Sequence, residues 1–384
     1  MEGRLPVVRP HRGSLRAGPF SIDEDLTHFV NEALMAVFLL VVGLEVKREI
    51  VAGALWEWRS AALPVVAAGG GMVAPALIYV AVNAGRPGAD GWGIPMATDI
   101  AFALGVMALV GRRVPATLKV FLLTLATVDD IGAIVVIAVF YSGGIQWTGL
   151  LAAAGLLVVI GGLRPMRVTW TAYVLVGLGV WLAVREAGVH ATIAGVALGL
   201  MAPARPLAAG SVAREWAEDL SDEPGPEELR TMTTLARSTV SAAERLEHLL
   251  HPFVSFLIVP VFTLVNAGVA LDRDSLAAPG ATGVAVGVVV GLLAGKMLGI
   301  VGAAGLAMHL RVATLPGGVS WRHMVGVSGL AAVNFTVALF IADLAFPTGP
   351  LTDAAKVGIR AASVVAALVG AALLWWAGRR PPAG

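Results

Sequence analysis

Two adjacent carboxylates, Asp129 and Asp130, stand in the middle of an apolar stretch of sequence, residues 124–141. A charged side chain at mid-membrane costs roughly 2.5 to 3.5 kcal/mol on insertion scales. Asp99 and Lys296 also lie in apolar runs, so the four residues together would cost roughly 10 kcal/mol. That is comparable with the whole folding stability of a typical protein, about 5 to 15 kcal/mol. We therefore predict an ion or proton site.

The chemistry open to this pair is exchange of protons for a cation. Neighbouring helical residues point about 100° apart, so one of Asp129 and Asp130 can face a cavity while the other reaches a neighbouring helix. A proton and a cation then compete for the same carboxylate oxygens. If both carboxylates release a proton for each monovalent cation bound, one net charge moves, which is worth about 2.3 kcal/mol per 100 mV.

Two further residues complete the charged set inside the apolar runs. Lys296, in GLLAGKMLGI, is the only Lys or Arg well inside such a run, and a buried ammonium is expected to pair with one of the three central aspartates. Asp99 follows Pro95, and both Thr98 and Asp99 favour helix N-caps. We expect Asp99 at an opened helix, either as a cap alone or with a role at the ion site.

Composition indicates the class of protein that positions these residues. Of the 384 residues, 57% are hydrophobic and 14% are charged, against about 25% charged in soluble domains. The sequence contains no cysteine, which excludes disulfides and thiolate chemistry. We predict an all-α polytopic membrane protein with about eleven transmembrane helices, in apolar runs at 27–46, 61–82, 93–110, 115–141, 148–163, 168–184, 188–203, 250–270, 283–309, 323–346 and 354–377.

The distribution of Lys and Arg orients these runs. Most of the basic residues fall in one alternating set of connectors, and the other set holds only Arg86, Arg185, Arg273, Lys356 and Arg360. The basic side is expected to be cytoplasmic, with the C-terminus inside. An odd number of spans then places an arginine-bearing N-terminus outside. Either this tail is tolerated there or an upstream helix is missing.

The runs group into segments. We expect a polar tail at 1–26, helices 1–7 at 27–203, a cytoplasmic amphipathic connector at 204–249, helices 8–11 at 250–377 and a tail at 378–384. The connector divides at a Pro-Gly-Pro sequence into two helix-compatible pieces. It is interpreted either as a solvated or interfacial linker or as a regulatory surface.

Two triplets of runs suggest internal symmetry. Runs 61–141 and 283–377 enter the membrane from opposite sides, and glycine and proline interrupt the first triplet. Interrupted helices in corresponding places of two halves point to a transporter site. The topology permits an inverted repeat.

The remaining ionisable candidates lie near the ends of runs. They are Glu32, Glu45, Arg48, Glu49, His190, Glu247, His248 and His251. His248 and His251 are possible pH sensors, because histidine alone titrates unperturbed near neutrality; a solvated helix start is the equal alternative. His190 is expected to be an interfacial or packing histidine, with a ligand as the alternative, and Glu32 is expected at the surface.

These motifs together resemble one family. GLEVKREI, ATDIAFALGV, ATVDDIGAIVVIAVFY, GVHATIAG, RLEHLLHP, NAGV and GKMLGI are similar to the NhaA-type sodium/proton antiporters, in order from about Asn31 to the C-terminus. The resemblance implies an inverted-repeat antiporter fold with two unwound, crossing helices. These match the runs at 93–110 and 323–346.

The resemblance also implies roles for the residues. Asp130 would be the principal sodium and proton carboxylate, and Asp129 would be its partner, exchanging a salt bridge with Lys296. Thr98 and Asp99 would lie at the helix crossing. A cytoplasmic pH-sensing cluster would comprise Glu45, Arg48, Glu49, Glu247, His248 and His251, and Glu32 replaces an aspartate at the matching position.

Three departures from the family pattern stand out. The family has a first helix and a short β-hairpin, which serves dimerisation, before the position of Asn31, and this chain is too short for both. We therefore expect the hairpin to be absent and leave the homodimer open. Asn334 replaces a glycine of the later crossing helix, where its amide would either coordinate the cation or stiffen the unwound segment. The connector at 204–248 is longer than usual.

The predicted function is export of sodium, or lithium, in electrogenic and pH-regulated exchange for external protons, by alternating access across a prokaryotic inner membrane. Partners are the lipid bilayer and small cations, with no cofactor and no enzymatic activity. The alternatives are an inactive or regulatory homologue and an intramembrane aspartyl protease built on Asp99 and Asp130. The protease lacks a Gly-x-Gly-Asp pattern here.

Overall fold

The computed structural model describes residues 12–17, 20–111, 114–144, 146–163, 170–206, 211, 214–215, 218, 225–266, 278–346 and 349–379. Within these ranges the chain is helical apart from one β-hairpin near its start. Tail residues 1–11 and 380–384, and most of 207–224 in the connector, lie outside the described part.

The hairpin consists of β1, Arg12–Ala17, and β2, Phe20–Asp25, which pair antiparallel from Arg12 with Asp25 to Ala17 with Phe20. The expectation that the hairpin is absent is therefore wrong. Two six-residue strands fit before the first helix because only Gly18 and Pro19 separate them, and these residue types are a turn signal. The segment 1–26 is thus more than a polar tail.

The helices follow in chain order, and their bounds are α1 Leu26–Ala52, α2 Trp58–Asn83, α3 Ile100–Val110, α4 Ala116–Phe140, α5 Trp147–Leu163, α6 Trp170–Glu186, α7 Thr192–Met201, α8 Pro226–Ser238, α9 Ala242–Asn266, α10 Ala281–His309, α11 Trp321–Ala331, α12 Thr336–Ala345 and α13 Pro350–Ala377. Short 3₁₀ turns at Ala54–Trp56 and Ala89–Gly93 precede α2 and the segment leading to α3.

Several helices have the length and composition to cross a membrane. Among the described residues, α2, α4, α9, α10 and α13 each qualify alone, and α11 with α12 qualifies as one broken span. Large apolar side chains on their outer faces are exposed, as lipid-facing helices require. The chain is a multi-pass helical membrane protein.

Two places in the fold interrupt a helical path. The chain from Ile94 to Asp99 is not α-helical, and α3 begins only at Ile100 with Asp99 as its N-cap. Residues 332–335 separate α11 from α12, and the two helices are bent by 49°. The backbone groups freed at both breaks must find other partners inside a membrane.

Two helices contain a wider π-helical turn. One lies at Val254–Ile258 in α9, and the other at Gly291–Gly295 in α10, immediately before Lys296. Such turns occur often at functional sites.

Close helix packing supports this framework. α1 packs on α7, α2 on α10, and α13 on both α10 and α11. A Cβ on Gly43 of α1 would lie 2.7 Å from the Val196 carbonyl oxygen, and a Cβ on Gly199 of α7 would lie 2.5 Å from that of Leu40. Small residues therefore let these two backbones approach closely.

The described end of the connector forms α8 and the first turns of α9. Ser241 caps α9 by accepting a hydrogen bond from Glu244 N at 3.2 Å. The second helix-compatible piece is thus divided between two helices, and α9 continues from the connector to Asn266 without a break.

Candidate ion site

A buried ion pair forms the centre of the site. Lys296 Nζ pairs with Asp129 Oδ2, and both side chains are fully buried. The same ammonium donates to Thr98 Oγ1 at 2.8 Å and to the Met96 carbonyl at 2.5 Å. All three protons of the ammonium thus have a partner. Residue types alone left three aspartates open as the lysine's partner, and the resemblance implied Asp129, which is the residue that pairs with Lys296 in the structure.

Thr98 joins this ion pair to the break in the other helix. Its hydroxyl oxygen lies 2.6 Å from Asp129 Oδ2 and 2.8 Å from the Ala331 carbonyl oxygen. The hydroxyl has a single proton to donate, so one of these two acceptors receives it at a time. A change in the charge or ion pairing of Asp129 would therefore alter the hydrogen bond between Thr98 and the end of α11.

Asp130 is placed differently from its neighbour. It is 6% exposed, and its Oδ1 has no hydrogen-bond partner within the described part of the chain. It lines a small cavity between α1, α4 and α12, together with Met35, Leu39, Val42, Ala133, Ile134, Ile137, Val337 and Phe340. Asp129 Oδ1 is likewise without a partner there. Each carboxylate thus keeps an oxygen that a proton or a cation could take.

Asp99 lies where the two interruptions meet. Its Oδ2 accepts hydrogen bonds from Thr336 Oγ1 at 2.7 Å and from Thr336 N at 3.2 Å. Its Oδ1 accepts from Phe102 N at 3.4 Å, and its own N–H donates to the Val333 carbonyl at 2.9 Å. One carboxylate thus faces the N-terminal ends of both α3 and α12, where negative charge is favourable.

Asn334 is fully buried within the 332–335 break. Its Nδ2 donates to the Ile94 carbonyl at 3.2 Å, and its Oδ1 accepts from Ala338 N at 3.2 Å. Of the two roles expected for this amide, the contacts match stiffening of the segment.

The candidates expected in a pH-sensing cluster form a group around the end of α1. Arg48 Nη1 lies 2.6 Å from Glu247 Oε1 of α9, and Glu49 Oε2 accepts from Ala54 N at 2.8 Å. Glu45 is close enough to interact electrostatically with Glu247 and Arg48 on one side and with Asp130 on the other. This glutamate connects the surface cluster to the buried site.

His248 and His251 are exposed on α9, one turn or less from Glu247, and both interact electrostatically with it. His251 Nδ1 lies 3.4 Å from Ser255 Oγ. The two histidines therefore belong to the same group at the end of α1.

The last two candidates lie apart from the ion pair. Glu32 Oε2 is 4.0 Å from Arg185 Nη1, with a side chain only 16% exposed, so it is less exposed than expected. His190 Nε2 is 2.6 Å from the Tyr141 carbonyl oxygen, which joins the start of α7 to the end of α4.

Three functional contacts were not predicted from the sequence. Thr336 binds Asp99, the Met96 carbonyl binds Lys296, and Ser363 binds the backbone of Asn334. The Asn-Phe-Thr sequence lies in the run that the resemblance expected to cross the run of Asp99, which was a usable signal for Thr336. A backbone carbonyl and a lone serine in an apolar helix carry no such signal.

Comparison with known proteins adds family information to this geometry. The family model described as Na+/H+ antiporter 1 matches residues 8–374. The Na(+)/H(+) antiporter NhaA of Mesorhizobium japonicum is 45% identical over 99% of this chain and 88% of that relative. The NhaA protein of Janthinobacterium sp. is 44% identical over 96% of this chain and 85% of its own length, and the NhaA 3 protein of Frankia alni is 43% identical over 96% and 80%.

Proposed function

The chain belongs to the Na+/H+ antiporter 1 family and is a sodium/proton antiporter, and we propose that it exports sodium in electrogenic, pH-regulated exchange for external protons. The observation that carries this proposal is the buried Asp129–Lys296 pair beside Asp130, whose Oδ1 is unpaired and whose side chain lines a cavity. The proposal includes lithium as a second exported cation.

Asp130 is the principal cation carboxylate in this mechanism. It offers a free oxygen to the cavity, and carboxylate oxygens suit hard cations. A proton and a sodium ion compete for it, so that loading one releases the other. Asp129 is the second carboxylate, because it gains a free oxygen whenever its ion pair with Lys296 opens.

The proposed exchange is electrogenic because the charges carried in the two directions are unequal. Two protons entering for each sodium ion leaving would move one net charge inward per cycle. The membrane potential then contributes about 2.3 kcal/mol per 100 mV to sodium export, which is roughly a fifty-fold concentration ratio.

The fold proposed for this cycle has about eleven transmembrane helices in an inverted repeat. The interruption before α3 and the 49° break between α11 and α12 fall in the middle members of the two triplets, and they support two unwound, crossing helices. Asp99 offsets the helix dipoles at the crossing. Movement of these half-helices would alternate access to Asp130.

Regulation by pH is assigned to the cytoplasmic group of Glu45, Arg48, Glu49, Glu247, His248 and His251. The two exposed histidines are the proposed sensors, because a change in their charge would act on Glu247, which pairs with Arg48. Glu45 carries the change toward Asp130 because it interacts with both Glu247 and Asp130.

The cellular setting is the inner membrane of a prokaryote, with the bilayer and small cations as partners and no cofactor. A homodimer is proposed as well, because the described part of the N-terminal segment forms the hairpin β1–β2, the element that the resemblance associates with dimerisation. Deleting residues 12–25 would then yield monomers in light scattering of the purified protein. A dimer that survives the deletion argues against this role.

Everted membrane vesicles test the proposed exchange. Sodium added to vesicles carrying the wild-type protein should collapse an imposed pH gradient, and Asp130→Asn should abolish this response. The matched control is Asn83→Ala, another buried polar residue, which lies in α2 and should leave the response in place. A sodium response retained by Asp130→Asn would refute the assignment of Asp130.

The alternatives gain no specific support. A protease would need Asp99 and Asp130 free to activate water, yet Asp99 Oδ2 accepts two hydrogen bonds from Thr336. An inactive homologue would show no sodium response in the wild-type vesicles.

A further inference from the structure

The break between α11 and α12 leaves backbone groups that a continuous helix would pair. In a membrane such groups need other partners, since no water replaces the lost hydrogen bonds. Several are paired by residues already assigned to the site: Asp99 N donates to the Val333 carbonyl, and Thr98 Oγ1 lies within hydrogen-bond distance of the Ala331 carbonyl. The groups around Asn334 are paired in another way.

The Asn334 amide connects the two interruptions. Its donor side binds the Ile94 carbonyl, in the segment that leads to α3, and its acceptor side binds Ala338 N, in the first turn of α12. Both distances are 3.2 Å. The amide supplies a donor and an acceptor on two separate atoms at the tip of the side chain. Aspartate would keep the acceptor alone, and alanine would keep neither.

Ser363 holds the backbone of the same residue from a third element, α13. Asn334 N donates to Ser363 Oγ at 3.3 Å, and Ser363 Oγ donates to the Asn334 carbonyl at 2.9 Å. The serine is 7% exposed. Asn334 therefore has hydrogen bonds on both its side chain and its backbone, to three separate parts of the chain.

The segment held in this way forms one wall of the Asp130 cavity. Val337 and Phe340, in the first two turns of α12, line that cavity. Thr336, at the start of the same helix, binds Asp99. A shift of the first turn of α12 would thus change the space around Asp130 without touching Asp130 itself.

We propose that Asn334 and Ser363 are positioning residues that fix the first turn of α12 as the wall of the Asp130 cavity and thereby set sodium affinity. Neither residue needs to contact the ion, because the donor and the acceptor of the Asn334 amide each have a backbone partner. The proposal rests on the role of Asp130 as the cation carboxylate.

The test measures the apparent KM for sodium at fixed pH and the maximal rate per folded protein, in proteoliposomes. Asn334→Ala and Ser363→Ala should each raise the apparent KM about tenfold, the factor that corresponds to 1.4 kcal/mol at 25 °C. The maximal rate should change by less than about twofold, since the loss concerns binding. The matched controls, Asn83→Ala and Ser328→Ala, remove buried polar groups that bond within their own helices and should leave KM unchanged.

Two further variants separate positioning from general stability. Asn334→Asp keeps the acceptor for Ala338 N and loses the donor to Ile94, so its KM should lie between wild type and Asn334→Ala. In the double variant Asn334→Ala/Ser363→Ala, KM should rise by less than the product of the single effects, because both residues hold one segment. If Asn334→Ala does not fold, Asn334→Asp and Ser363→Ala carry the test.

The positioning role is overturned if the variants at Asn334 and Ser363 match their controls in KM, or if the double variant multiplies the single effects. Asp130→Asn is measured beside them. Loss of the sodium response in Asp130→Asn together with a wild-type KM in Asn334→Ala refutes the positioning role alone. A sodium response retained by Asp130→Asn refutes the cation role of Asp130 instead.

Discussion

Replacing Lys296 by methionine removes the positive charge at the centre of the site and keeps most of the side-chain volume. The ammonium that is lost makes the ion pair with Asp129 and donates to Thr98 Oγ1 and the Met96 carbonyl. Both members of the pair are fully buried, so no solvent can replace the missing partner. The variant therefore leaves a carboxylate with no counter-charge in contact.

The size of the effect follows from burial. Breaking a buried pair by removing one partner typically costs about 3 to 5 kcal/mol, whereas replacing both partners by neutral groups of similar volume is often neutral or stabilising. We expect Lys296→Met to lose about 3 to 5 kcal/mol of stability. The double variant Asp129→Asn/Lys296→Met should recover most of this loss, because no charge remains unpaired.

Reversible unfolding of the purified protein in detergent measures these free energies, with Asp129→Asn completing the double-mutant cycle. A coupling of about 2 kcal/mol or more between the two positions is expected. The reasoning fails if Lys296→Met is as stable as wild type, or if adding Asp129→Asn makes it less stable.

Two further predictions concern the surroundings of the site. Arg48→Ala breaks the ion pair with Glu247, and the arginine side chain is 34% exposed, so stability should fall by less than about 1 kcal/mol. The pH profile of sodium-driven transport should shift, and an unchanged profile would argue against the proposed pH-sensing group. Gly199→Val should lower the free energy of unfolding by about 1 to 3 kcal/mol through overpacking against α1. The control Gly155→Val should have little effect, because a Cβ added there meets no atom within 4 Å. Equal losses in the two variants would contradict this account of the α1–α7 contact.

The charged centre was the most predictable part of the molecule. Charged side chains in apolar runs pair with one another or face a cavity, so the sequence predicted a single site that contains Asp129, Asp130, Asp99 and Lys296. Residue types alone did not choose among the three aspartates for the lysine, because that choice depends on how α2, α4 and α10 pack. The family resemblance implied Asp129, and the structure has this pair.

The interruptions were only partly predictable. Pro95 and the capping types Thr98 and Asp99 indicated an opened helix, and α3 begins at Ile100 with Asp99 as its cap. The later break, in AAVNFTVALF, contains neither glycine nor proline, and its composition alone reads as a continuous apolar helix. Tertiary hydrogen bonds from Asp99, Thr98 and Ser363 hold it open.

The number of residues before the first helix argues against a hairpin, whereas their pattern favours one. Arg12–Ala17 and Phe20–Asp25 each mix polar and apolar residues around Gly18-Pro19, which is a recognisable hairpin signal.

The central claim is that protons and sodium compete for the carboxylates of Asp129 and Asp130. Proton release on sodium addition, followed in weakly buffered detergent solution of the purified protein, tests it without any membrane gradient. The wild-type protein should release protons as sodium saturates the site, and Asp130→Asn should release none. Sodium binding by the wild type without proton release, or undiminished release from Asp130→Asn, would contradict the competition.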